Sequence, residues 1–479
     1  MEIPVNTGCR GPYMEIAVIG AGYVGLTTAA CLAEVGHRVV CVDSDLGKVR
    51  QLQTGQMPIF EPHLESLVRR NRERGRLEFS SQAAGEFERG QAIFICVGTP
   101  PLENGEADLS AIEQVGRMIA GRARGYRLIV EKSTVPVVSG HQLQKHLALY
   151  RNDDQFQFDV VANPEFLRQG CAVQDFLHPD RIVVGVDSSR AAELMGEIYR
   201  PLLEQSFECP VHSPCKPRPR VPLVLTDLSS AEMIKLAANS FLAMKISFIN
   251  MVADLCEAAG ADVEKVAEGV GLDPRIGAGF LRPGIGFGGS CFPKDLQAFV
   301  RVGEKFGCDF SLLKEAERIN ARRIDHFFRK IKEELWVLHG KRLGVWGLAF
   351  KPDTDDVRRA PSLEIIRRLL AEGAEVQAYD PQAMEKAKAQ LPQIAYCQDL
   401  YEAARGADAL LLLTEWEEFR TVDWERVRGL VARPLLLDGR NLFSQAELAS
   451  RGFQYIRLGR NARTSAEAQQ VAFKASGGG

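Results

Sequence analysis

Apolar residues fall into two rhythms along this chain. Short unbroken runs such as Ile16-Ala17-Val18-Ile19 and Val39-Val40-Cys41-Val42 show no polar alternation, which marks strands buried on both faces of a parallel sheet. Between the runs lie helical stretches and turn-rich segments. Further runs predict strands at 91–97, 127–131, 158–162 and 181–186, and the alternation of strand with helix predicts a doubly wound α/β domain over 14–212.

The rhythm then changes. From Asp227 to Ala259 the sequence is helical throughout, with Thr226 or Asp227 placed to cap the start and Gly260 to end it. At about 1.5 Å per residue this helix is about 48 Å long, enough to bridge two domains. Helices at 262–270, 294–306 and 311–337 complete a central helical domain over 213–335. The strand–helix pattern returns with Leu343-Gly344-Val345-Trp346-Gly347, a helix at 362–371 and a strand at 375–379. Gly36–Asp43 is echoed by Gly373–Asp380, and Gly90–Ile95 by Gly406–Leu411. Such an internal duplication predicts two Rossmann-like doubly wound domains flanking a central helical domain with one long bridging helix. Residues 336–459 form the second of these, 1–13 a disordered extension and 460–479 a flexible tail. The Pro/Arg-rich stretch 213–222 reads as a solvated loop.

Composition narrows the function classes. The 479 residues are 46% hydrophobic and 25% charged, ordinary for a globular protein, and the net charge of −3 supplies no field for nucleic acid or anionic membrane. The eleven cysteines form no CxxC pair, and several lie inside apolar runs, which suits a reducing, cytoplasmic setting. No apolar run reaches 18 residues, so no membrane span is expected. The eight histidines form no HxxxH or HExxH pattern, and no metal site is argued from them.

Two segments carry chemistry. Gly20-Ala21-Gly22-Tyr23-Val24-Gly25 follows a strand and opens a helix. Gly20 suits the tight turn, Gly22 the approach of backbone to a pyrophosphate, and Gly25 close helix–strand packing. Asp43 ends the next strand, where a carboxylate accepts from ribose hydroxyls and repels a 2′-phosphate, favouring NAD over NADP. Lys48 can add a cationic contact. The second segment, Gly284–Asp295, places glycines before Cys291 and Pro293 in the first turn of a helix. A thiol there, beside Lys294, has the setting of a nucleophile, with Asp295 able to hold a water or a proton. Lys235 and Asn239, spaced i, i+4, share a helix face. Lys132-Ser133-Thr134 and Asn163-Pro164-Glu165-Phe166-Leu167 each follow a strand, at the ends where α/β sheets bind ligands.

These segments, with Val97-Gly98-Thr99-Pro100, Asp273-Pro274-Arg275-Ile276-Gly277, Phe350-Lys351 and Asp438-Gly439-Arg440, resemble the UDP-glucose 6-dehydrogenase family within the wider UDP-glucose/GDP-mannose dehydrogenases, from Met14 to about Leu458. The resemblance implies oxidation of a nucleotide-sugar C6 alcohol to a carboxylate with two NAD and one water. It implies Cys291 as nucleophile, Lys235 and Asn239 as oxyanion donors, Asp295 as proton acceptor through a water, Glu165 as activator of the hydrolytic water, and Thr134 orienting that water or the substrate. For NAD it implies Gly20, Gly22, Tyr23, Val24, Gly25, Asp43, Lys48, Thr99, Thr134, Glu165, Lys294 and Arg358. For the UDP-sugar it implies Glu165, Phe166, Leu167, Lys235, Asn239, Phe280, Gly288, Phe350, Lys351 and Arg440. Arg275 is expected to reach a neighbouring subunit's site, so at least a homodimer is implied.

Gln169 stands where the family usually has glutamate after Pro-Glu-Phe-Leu-Arg, and it removes a charge there. The rival readings are sister enzymes acting on GDP-mannose or UDP-N-acetylmannosamine, two-electron β-hydroxyacid dehydrogenases, and a non-catalytic NAD-binding regulator. Ser290 before the cysteine argues against the N-acetylmannosamine enzymes, and the thiol itself against the two-electron ones.

Overall fold

The computed structural model describes residues 13–152, 155–212, 215 and 220–460. The expected extension and tail fall outside the described residues except for Tyr13 and Arg460, as does most of the 213–222 loop. The chain divides into two compact units, Met1–Ala237 and Ala238–Gly479.

The first unit is built on eight strands: β1 (Glu15–Ile19), β2 (Arg38–Val42), β3 (Leu77–Ser80), β4 (Ala92–Ile95), β5 (Tyr126–Glu131), β6 (Gln157–Ala162), β7 (Ile182–Gly185) and β8 (Leu223–Thr226). Their order is β3-β2-β1-β4-β5-β6-β7-β8. The pairing is parallel except between β6 and β7, which meet antiparallel at Ala162 and Gly185. Side chains alternate across a strand, so Ile16 and Val18 enter one core while Ala17 and Ile19 enter another on the opposite face. That double burial is why these strands read as unbroken apolar runs.

Two strands escape that rule. β3 alternates as Leu-Glu-Phe-Ser, and β8 has Val224 and Leu225 exposed. The β8 edge strand pairs with β7 from Ile182↔Leu223 to Gly185↔Thr226, so the first sheet runs on past residue 212, where the sequence places the domain's end. A short, half-exposed strand after a proline-rich stretch has no buried run to announce it.

The second unit holds β9 (Arg342–Trp346), β10 (Glu375–Tyr379), β11 (Ala395–Tyr396), β12 (Ala409–Leu412), β13 (Leu435–Asp438) and β14 (Gln454–Arg457), ordered β11-β10-β9-β12-β13-β14 and parallel throughout. This is the spatial order of β3-β2-β1-β4-β5-β6, as the duplicated segments predict. The helix Ser311–Leu335 adds Phe327, Ile331 and Leu335 to the same core, beside Trp346 and Leu411.

The long helix runs from Leu228 to Ala259. It begins in one unit and ends in the other. Leu228 and Ala231 pack on Ala162 and Val183, and a Cβ on Gly185 would come within 2.7 Å of the Ala231 side chain. Further along, Ile249, Ala253 and Cys256 pack with Val263 and Leu281. Among the described residues it is the one helix long and apolar enough to cross a membrane, with mean hydropathy 1.4 over its most apolar 18 residues. Its buried polar groups are those of a protein core, however. Glu232 accepts from the Val138 and Gly140 N–H groups, and Ser247 donates to the Ala316 carbonyl.

Candidate active site

In the first unit the glycine loop leaves the end of β1 and turns into the helix Tyr23–Glu34. Gly20 has φ +101°, and a Cβ there would lie 2.7 Å from the Cys96 carbonyl oxygen; at Gly25 it would lie 1.8 Å from the Gly20 carbonyl. Both positions therefore exclude any other residue. A Cβ on Gly22 would meet no protein atom within 4 Å, so the backbone at the helix N-terminus stands open to a ligand. The Tyr23 hydroxyl accepts from the Gly170 N–H at 2.9 Å, while Val24 packs against the adjoining core.

Asp43 lies beside this loop, accepting from the Ala21 N–H at 2.7 Å, the Asp45 N–H at 2.9 Å and the Lys48 ammonium at 2.9 Å. Burial raises its carboxyl, but these donors outweigh burial and hold it below the usual carboxylate range. Lys48 thus fixes the carboxylate. An ionised group beside an open glycine loop and a helix N-terminus fits the ribose and pyrophosphate of NAD.

The next strand ends add a buried charged cluster. Thr99 donates to the Thr134 carbonyl at 2.8 Å, tying the loops after β4 and β5 together. Glu165 accepts from the Lys235 ammonium at 3.1 Å and from the Leu167 N–H, and both charged side chains are almost wholly buried. Burial raises the Glu165 carboxyl; Lys235, the Leu167 N–H and Lys132 more than reverse it, so it is ionised. Phe166 lies beneath the Lys235 ammonium, 5.4 Å from ring centre, and Leu167 packs against the core. Gln169 is buried.

Lys132 is the residue that sequence reasoning left without a role. Burial lowers its ammonium to about 8, against the partial support of Cys96 and Glu165, and it donates to Asn163 Oδ1 at 3.2 Å. The signal was present, a lysine at the carboxyl end of a buried strand, yet only burial distinguishes it from a solvated one.

The second unit has its own cluster. Cys291 is the N-cap of the helix Phe292–Lys305 and is half-buried, with Ser290 Oγ 3.7 Å from its sulfur. Asp295, in the first turn, accepts from Asn239 Nδ2 at 2.7 Å and pairs with the Lys294 ammonium at 2.9 Å. Arg358 grips Asp356 in a forked pair, Nε on Oδ1 at 2.9 Å and Nη2 on Oδ2 at 2.6 Å. The glycines before the thiol are required: a Cβ on Gly288 would sit 2.3 Å from the Arg359 carbonyl, and Gly289 has φ +80° with the Phe350 ring against it.

A cavity of about 720 Å³ opens in this unit, and five residues expected at the sugar nucleotide line it: Phe280, Gly288, Phe350, Lys351 and Arg440. Arg440 is held by three carbonyls from separate segments, Leu413 at 2.9 Å, Gly286 at 3.0 Å and Phe350 at 3.1 Å. An aromatic ring beside two cations suits a base and a diphosphate. Glu415 and Arg420 also line the cavity, and the sequence reading passed over them. Arg275 lies elsewhere, exposed and clamped on Asp273.

Three sequence models of the UDP-glucose/GDP-mannose dehydrogenase family match the chain: the NAD binding domain at residues 14–203, the central domain at 229–322 and the UDP binding domain at 344–445. A UDP-glucose 6-dehydrogenase of Rhizobium meliloti (strain 1021) is 44% identical over 452 residues, covering 93% of this chain and all of its own. The Bacillus subtilis (strain 168) UDP-glucose 6-dehydrogenase TuaD is 44% identical over 449 residues, 94% of each chain. Among solved structures, a UDP-glucose dehydrogenase from Pyrobaculum islandicum superposes with a TM-score of 0.84 at 36% identity, covering 95% of this chain and 100% of that one.

Proposed function

The chain belongs to the UDP-glucose/GDP-mannose dehydrogenase family, and from that premise we propose that it oxidises the C6 alcohol of UDP-glucose to the carboxylate of UDP-glucuronate. One UDP-glucose, two NAD and one water give UDP-glucuronate, two NADH and protons. NAD, when bound, accepts one hydride in each of the two oxidations. Gly20, Gly22 and Gly25 shape the loop for its pyrophosphate, and Asp43 takes a ribose hydroxyl.

The Cys291 thiolate adds to the C6 aldehyde, forming a carbon–sulfur bond while the carbonyl electron pair moves to oxygen. Lys235 and Asn239 donate to that oxyanion. Asp295 receives the thiol proton through a water. Loss of the second hydride from the thiohemiacetal leaves a thioester. Water oriented by Thr134 attacks its carbonyl carbon, Glu165 takes the water's proton, and the thiolate departs. Phe350, Lys351 and Arg440 hold the nucleotide.

The observation that carries this reading is the place of Cys291. It opens a helix whose first turn carries Asp295, bonded to Asn239, in the unit that holds the Phe350–Lys351–Arg440 cavity. Oxidation to the aldehyde alone needs no thiol; carrying an aldehyde to an acid without releasing it does. Exposed Phe241, Phe248, Met251 and Leu255 along the long helix, with exposed Arg275, support assembly into at least a dimer. Buried thiols at Cys31, Cys41, Cys96, Cys256 and Cys397, which serve as small core side chains, support a cytoplasmic setting.

The test is NADH formed per UDP-glucose consumed, with the sugar limiting. Two NADH with UDP-glucuronate is the expected result; one NADH with free aldehyde overturns the thioester route, and none overturns the substrate in favour of GDP-mannose. Cys291→Ser should cut kcat roughly a thousandfold at unchanged folding.

A further inference from the structure

Four side chains converge in the first unit, away from the residues just described. His178 ends the short helix Ala172–Leu177, and Cys209, His212 and Cys215 follow the helix Ser189–Glu204 on the way to β8. One nitrogen or sulfur from each lies within 4.8 Å of every other. His178 Nε2 is 3.1 Å from Cys209 Sγ, and His212 Nδ1 is 3.5 Å from the same sulfur. Ligands on a tetrahedral zinc, with Zn–S about 2.3 Å and Zn–N about 2.0 Å, stand about 3.5 Å apart for a sulfur–nitrogen pair.

The surroundings set the ligand atoms. Both protons of Gln205 Nε2 are used, one on the Leu177 carbonyl at 3.0 Å and one on the Leu202 carbonyl at 2.7 Å. Its Oε1 is therefore the acceptor facing His178 Nδ1 at 2.5 Å. That nitrogen carries the proton, and the Nε2 lone pair points at the sulfur. A histidine whose second nitrogen donates to a fixed carbonyl is oriented as metal ligands are. Gln205 takes a strained φ of +50° to reach this place. The His212 N–H donates to Cys209 Sγ at 3.3 Å, which fixes the sulfur beside the two imidazoles.

We propose that His178, Cys209, His212 and Cys215 bind one Zn²⁺ in a closed Cys₂His₂ site that pins the connection before β8 to the end of the Ala172–Leu177 helix. Two imidazoles and two thiolates suit zinc, and four protein ligands leave no open position, so the ion is structural. Binding forms two Zn–S and two Zn–N bonds and releases the two thiol protons to solvent. The sequence hides the site because the Cys209–His212–Cys215 spacing is no familiar pair and the fourth ligand lies 31 residues upstream.

The test is metal content of the full-length protein, expressed with zinc and desalted. About one zinc per chain is expected, kept in Cys291→Ser and lost at least tenfold in Cys209→Ser and Cys215→Ser. Apoprotein titrated with Co²⁺ should develop visible tetrahedral bands with thiolate charge transfer, and this readout stands if a cysteine variant fails to fold. Gln205→Ala should weaken Co²⁺ binding roughly tenfold or more. Less than about 0.1 zinc per chain with no cobalt bands, or a Cys209–Cys215 disulfide in non-reducing peptide maps, overturns the proposal.

Discussion

The two Rossmann-like sheets share strand order and turn geometry, yet their second-strand aspartates have opposite fates. In the first, the Gly20 N–H donates to the Val42 carbonyl at 2.7 Å and the Ala21 N–H to Asp43; in the second, the Gly347 N–H donates to Tyr379 at 2.8 Å and the Leu348 N–H to Asp380 at 2.7 Å. Asp43 keeps contact with solvent beside an open helix start at Tyr23. Asp380 is fully buried, also accepting from the Ala349, Gln382 and Ala383 amides and the Trp416 indole. In the second sheet the following helix begins only at Pro361, and residues 348–360 carry Phe350, Lys351 and Arg358 instead of a glycine loop. One residue has become a ligand contact and its counterpart a structural brace. The difference lies in whether the helix N-terminus stays beside the turn.

That contrast can be broken most sharply at the two aspartates. Asp380→Ala strands several buried donors and should destabilise the second unit by about 3–5 kcal/mol in denaturant unfolding. Asp43→Ala should change stability by about 1 kcal/mol or less while raising the NAD KM at least about tenfold.

A finer cut separates the two nucleotides. Arg440→Ala should weaken UDP binding, read by titration calorimetry, by about 2 kcal/mol with NAD binding unchanged. Gly22→Ala should do the reverse by about 1–2 kcal/mol, since its Cβ meets no protein atom and only a ligand would feel it.

The smallest effect concerns the fifth strands, each ending in a buried acid. Asp438 accepts from the Arg440 and Leu442 amides and the Tyr455 hydroxyl, whereas both Glu131 oxygens lack a hydrogen-bond partner among the described residues. Burial, with Glu232 nearby, pushes Glu131 up to about 8. A raised carboxyl binds its proton more tightly when folded, so the stability it contributes is full below pH ~4 and is lost as pH rises through 8. Glu131→Gln should flatten that fall between pH 5 and 9 by thermal unfolding; an unchanged slope would place the sensitivity elsewhere.

The sequence by itself determined the architecture wherever burial is two-sided or a turn needs a special backbone. The runs of β1, β2 and β9, the fingerprint at Gly20, Gly22 and Gly25, and the helix Leu228–Ala259 were all legible, because period, chain length and the missing Cβ are local properties. Asp43 was legible as the acid ending a second strand. Its twin Asp380 ends an equivalent strand, and only the tertiary packing of Trp416 and the Leu348 and Ala349 amides decided that it would be consumed internally. Tertiary structure alone also brought Glu165 to Lys235, 70 positions apart, drew three carbonyls onto Arg440, lowered Lys132 and gathered His178 with Cys209, His212 and Cys215. Such features depend on which groups share a dry space, and a linear pattern does not encode the dielectric or the partner that the fold supplies.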